Sequence, residues 1–200
     1  MKLWLLPLLI FACSLLAGCP LYSLHPLYTD QDSVVVSALE GTWIDPSPDP
    51  KEKTTFQTTF QKSGDHGYTM IVDDPSTKLR QTYDIRLIRL GNQLFMDLAW
   101  SDQTLNGASL DPPIGAFATH EILKVEISEA DLAYATLEDD AIKKQGRAAG
   151  ENLLEYRTSD NGALLVTAST DDLRRYVAAH AGDAFSSYEH LKKKREQSSK

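Results

Sequence analysis

Cysteine is nearly absent: only Cys13 and Cys19 occur in 200 residues, so the body of the chain cannot be held by internal disulfides. Basic residues are also in the minority. Twenty Lys and Arg stand against 28 Asp and Glu, for a net charge of −8. Nucleic-acid binding requires clustered cations to neutralise phosphates, so that partner class is excluded. The signatures of common chemistry are missing as well. His25, His66, His120, His180 and His190 never pair at metal-binding spacing, and no metal site is expected. A nucleophile elbow, a Walker loop and a dinucleotide glycine fingerprint are all lacking. No cofactor is expected, no catalytic residue is assigned, and the chain is read as not an enzyme.

What is present begins at the amino terminus. Lys2 precedes an apolar stretch over residues 3–17. As a helix this stretch would reach roughly 22 Å, short of the ~30 Å hydrocarbon core of a bilayer. That length, with Pro7 inside it, fits a cleaved signal peptide better than a spanning anchor. Residues 1–18 are therefore expected to be removed. The mature chain then keeps a single cysteine, and a lone cysteine in an exported protein needs a special use.

Leu16-Ala17-Gly18-Cys19 resembles the lipobox of bacterial lipoproteins. The resemblance implies that Cys19 is acylated on sulfur, becomes the new amino terminus and is acylated there again. Each buried methylene contributes about 0.8 kcal/mol, so two or more chains anchor firmly where one does not. The expected partner is thus a membrane, reached through the lipid. Residue 20 is Pro and not the Asp that marks inner-membrane retention in enterobacterial lipoproteins. By that resemblance the address is the bacterial cell envelope, at the outer membrane.

Residues 19–38 read as the lipidated terminus and a tether, with Pro-Leu-Tyr at 20–22 and again at 26–28. The Leu and Tyr side chains are expected to pack against the domain, although the lipid headgroups are an alternative. Ser23-Leu24-His25-Pro26-Leu27-Tyr28-Thr29, then Leu39-Glu40-Gly41-Thr42-Trp43, and late in the chain Leu165-Val166-Thr167-Ala168-Ser169-Thr170, resemble a group of uncharacterised bacterial lipoproteins. The resemblance implies an address and a fold but no activity.

Residues 39–182 read as a β-rich domain. Phe56, Thr58 and Phe60 alternate with polar neighbours, as do Tyr68, Met70 and Val72, then Tyr83, Ile85 and Leu87, and later Leu123, Val125 and Ile127. Period two marks half-buried strands. Gly91-Asn92 turns one strand into Leu94–Leu98 as a hairpin, and residues 132–137, 152–157 and 163–168 read as further strands. Residues 138–149, acidic at the start and basic towards the end, suit a helix. A second helix starts near Ser169, with Asp172 three residues on and Leu173, Tyr176, Val177 and His180 on its inner face. Residues 183–200 read as a helical to disordered basic tail.

About eight antiparallel strands and a C-terminal α-helix fit a closed barrel, which removes exposed strand edges. Gly41-Thr42-Trp43 resembles the Gly-x-Trp signature of lipocalins and other calycin barrels. In that resemblance the Trp plugs the closed end and stacks on a basic residue from a late strand, for which Arg157 is the candidate. The connection from Trp100 to Thr119 is long enough to be a lid or a surface insertion. His120-Glu121 are the only candidates for acid–base work and read more naturally as structural. The function expected is a lipid-anchored barrel holding a small apolar ligand. The alternative is an envelope structural or interaction module without one.

Overall fold

Alternating side chains become a wall when each strand finds a partner on both edges, and here that wall closes on itself. The structure, a computed structural model, describes residues 21–29, 31–46, 56–109, 119–149, 154–158 and 164–195. The expected signal peptide, Cys19 and the turn at 159–162 lie outside the described residues.

Two short strands come first, β1 (Tyr22–Ser23) and β2 (Ser33–Val34), and a 3-10 turn at Ser37–Leu39 leads into β3 (Gly41–Ile44). A meander follows through β4 (Gln57–Ser63), β5 (Gly67–Asp74), β6 (Leu79–Leu90) and β7 (Gln93–Leu105). After β8 (Ala108–Ser109) come β9 (His120–Ile127) and β10 (Asp131–Thr136). Helix α1 (Asp139–Ala149), β11 (Tyr156–Thr158), β12 (Leu164–Val166) and helix α2 (Thr170–His180) precede the last strand, β13 (Glu189–Lys193).

Strands β3, β4, β5, β6, β7, β9, β10 and β13 pair in that order, each antiparallel to the next. β13 then pairs with β3, Lys193 opposite Trp43, and the ring is complete. The protein is a closed, antiparallel, calycin-like barrel of eight strands. Strand β1 continues the wall beside β9, and β12 and β11 extend it outward.

Two cores result. Inside the barrel are Trp43, Phe60, Tyr68, Ile85, Leu87, Met96, Leu123 and others. Outside it, α2 presents Leu173, Tyr176 and Val177 at helical spacing to Ile88, Phe95, Ile122 and the amino-terminal Leu21 and Leu27. Along Phe95-Met96-Asp97-Leu98 every side chain is buried, because this part of β7 is covered on both faces. Ser169 caps α2 by accepting a hydrogen bond from the Asp172 N–H (3.2 Å).

Three sequence expectations change. The basic tail is not a tail from 183 onward, since residues 189–193 are β13 and close the barrel. Leu191 is the one large apolar residue in that strand, too few for alternation to reveal it. The helix therefore precedes the last strand. The Leu side chains of the tether do pack against the domain, Leu21 and Leu27 being buried, but the boundary at 39 moves: the described residues from 21 onward already belong to the folded body. Finally, β7 runs to Leu105 and turns back into β8, which absorbs the first half of the long connection at 100–119, while 110–118 lie outside the described residues.

Candidate functional site

The barrel interior is graded from one end to the other. At the closed end Trp43, Tyr68, Ile85 and Leu87 are sealed from solvent. The 3-10 turn covers this end: the Trp43 Nε1–H donates to the Leu39 carbonyl (2.8 Å), and the Tyr68 hydroxyl accepts from the Val36 N–H (2.7 Å). Lys193 lies over the Trp43 ring, its Nζ 5.2 Å from the centroid, and donates to the Ala38 carbonyl at 2.9 Å. Gly41 is required here. Its φ is +120°, and a Cβ would stand 2.9 Å from the Lys193 Cε.

The stacking partner is thus Lys193 and not Arg157. Arg157 is exposed on β11, opposite Leu165, in the sheet extension outside the barrel ring. Gly41 and Trp43 do sit at the closed end, on β3.

The outer wall carries a strap built from the motif at 23–29. The Leu27 N–H donates to Asp97 Oδ2 (2.6 Å), and the Asp97 Oδ1 meets His120 Nδ1 at 2.6 Å. From α2, Arg174 donates to the Leu27 carbonyl (2.9 Å) and pairs with Asp32, while the Thr170 hydroxyl donates to the Pro26 carbonyl (2.8 Å). Tyr28 meets the His120 ring edge-on, 6.2 Å between centroids. His120 is buried and holds this strap in place. It lines neither of the two clefts found among the described residues.

Glu121, the next residue, points the opposite way. It shares its face of β9 with Leu123 and Val125, inside the barrel, and is in register with Leu98 on β7 and Tyr22 on β1. Its Oε1 is out of reach of solvent and has no hydrogen-bond partner among the described residues. Burial pushes its carboxyl up to about 7.

Two tyrosines share this end. Burial first, then Glu121 and Tyr22, push Tyr83 up to about 12. Tyr134 donates its hydroxyl to Glu189 Oε2 (2.8 Å) and is raised well above its ordinary value, first by burial and then by Glu189, Asp45 and Glu121. Three carboxyl groups therefore bear on one phenol. No family model, curated protein or solved structure matches the chain.

At the end of the barrel away from Trp43 the inward-facing Thr58, Val72, Tyr83, Glu121 and Tyr134 are only partly buried, unlike their counterparts below. Two clefts also lie among the described residues. One of about 510 Å³ is at the tips of β5 to β8, between Asp73, Lys78 and Asn106, and one of about 490 Å³ is beside the β6–β7 turn, between Arg89, Lys124 and Tyr188. Among the described residues no three His, Cys, Asp or Glu side chains gather as a metal site, and no helix is long and apolar enough to cross a membrane.

Sequence reasoning named His120 and Glu121 together because they are neighbours. Their opposite directions follow from the strand pleat, so only Glu121 belongs to the interior. Lys193 was hidden in the run at 192–195, and Asp97 in an apolar stretch. A buried aspartate amid Phe95, Met96 and Leu98 was the one available signal, since an isolated acid there demands partners.

Proposed function

We propose that the chain is a lipid-anchored protein of the bacterial envelope whose barrel takes a small, largely apolar molecule through its open end. The observation that carries the ligand reading is the graded interior. Aromatic and aliphatic side chains fill the closed end, whereas Val72, Tyr83, Glu121 and Tyr134 face the bore at the other end without being fully covered. An apolar bore with a few polar groups at its rim suits a small ligand.

The anchor rests on Leu16-Ala17-Gly18-Cys19. The buried Leu21 is two positions after Cys19, a reach of at most about 7 Å, so a lipid on that sulfur would hold the barrel close to the bilayer. Tyr22, next along, is in register with Glu121, which supports short access between membrane and open end. The ligand-free alternative has less support. The exposed large apolar residues among those described are Tyr22, Val35 and Leu105, set apart on the chain.

Native mass spectrometry of the protein purified from bacterial membranes tests both parts. The mature chain should begin at a triply or doubly acylated Cys19 and retain a small molecule. A Cys19→Ser variant that stayed on the membrane and was processed normally would overturn the anchor. Protein that neither retains a molecule nor takes up any apolar probe would overturn the ligand.

A further inference from the structure

The open end of the barrel is acidic as well as aromatic, and that combination narrows the ligand. Glu121 projects into the bore with its Oε1 buried and unpartnered among the described residues. A buried acceptor left without a donor costs free energy that a ligand can return by supplying one. Around it stand Tyr83 and Tyr134, with Glu189 bonded to the Tyr134 hydroxyl at 2.8 Å and Asp45 near enough to act on the same phenol. The inward-facing cation among the described barrel strands nearest the core, Lys193, is committed to Trp43 and Ala38 at the opposite end.

We infer that the open end recognises an organic amine: an ammonium group seated on Glu121, with an apolar body lying down the bore among Val72, Leu98 and Leu123. The phenol faces of Tyr83 and Tyr134 suit such a cation, since aromatic faces attract positive charge. An anionic amphiphile of the same length would meet like charge in a desolvated setting and be rejected. This rests on the ligand-binding reading above and gives that ligand its chemical class.

The test uses the full lipidated chain in phosphatidylcholine nanodiscs at physiological salt, with empty nanodiscs as the blank. Octylamine, octan-1-ol and octanoate are titrated calorimetrically against the wild type and Glu121→Gln. Octylamine should bind at least tenfold more tightly than octan-1-ol, and octanoate most weakly. Glu121→Gln, nearly isosteric, should abolish the preference, bringing octylamine down to the octan-1-ol level. If octan-1-ol binds the wild type with no preference for the amine, or if the preference survives in Glu121→Gln, the amine inference fails and the ligand reading stands. If none of the three binds, both fail.

Discussion

Lys193 lies over the indole of Trp43, with its nitrogen 5.2 Å from the ring centroid. The contact joins the last strand of the barrel to the first, at the seam where the ring closes. One side chain therefore secures three things: the strand pairing, the plug residue and, through the Ala38 carbonyl, the 3-10 turn over the closed end.

Removing that side chain should loosen the seam. Lys193→Met keeps the aliphatic stem but loses the cation–π contact and a charge-assisted hydrogen bond, which together contribute about 2 kcal/mol. Urea unfolding at neutral pH should show a lower midpoint with an unchanged slope. An unaltered midpoint would mean the contact is incidental to closure.

Gly41→Ala attacks the same place from the other side. The new Cβ would occupy a strained backbone at φ +120° and stand 2.9 Å from the Lys193 Cε. Strain of this kind costs about 1–3 kcal/mol, and the lysine must also shift. Thermal unfolding should show the loss, and Trp43 fluorescence should move as the ammonium leaves the ring. Wild-type stability together with an unmoved spectrum would refute this account of the glycine.

Asp97 should prove the keystone of the strap. Its two carboxylate oxygens hold the Leu27 N–H and the His120 ring, both at 2.6 Å, in a buried setting. Asp97→Ala leaves both groups without their acceptor and should cost about 2–4 kcal/mol. Hydrogen exchange would rise first at Leu27, because the segment lifts before the barrel opens. Exchange that rose equally across the barrel strands would contradict a local role.

Glu121 should make stability depend on pH in a specific direction. Its folded pKa, about 7, lies above the ordinary 4.5, so the native state binds the proton more tightly than the unfolded chain does. Stability from this group is full below the ordinary value and is lost as pH rises through about 7, a change on the order of 3 kcal/mol. Glu121→Gln should therefore match the wild type at about pH 4.5 and exceed it at about pH 8. A difference between the two proteins that does not vary with pH would mean the carboxyl is not buried as described.

Much of the architecture was legible because strand periodicity is local. Tyr68, Met70 and Val72, or Leu123, Val125 and Ile127, announce one buried face within a few residues, and a neighbour two positions away suffices to show it. Helix α2 was equally plain from Ser169, Asp172 and the spacing of Leu173, Tyr176 and Val177. Strand β13 was not, since Glu189 and Lys193 face the interior where a pattern search expects apolar residues.

The order of residues alone determined an antiparallel β-barrel with a glycine and a tryptophan at its first strand. Only the folded chain decided which cation rests on that tryptophan, because Lys193 reaches the Ala38 carbonyl across 155 positions and such a pairing is set by sheet register, which no local pattern carries. The same register turned His120 outward onto Asp97 and Glu121 inward, giving adjacent residues separate settings: one holds the strap, and the other is a partly buried acid facing the barrel interior with one carboxyl oxygen sealed from solvent.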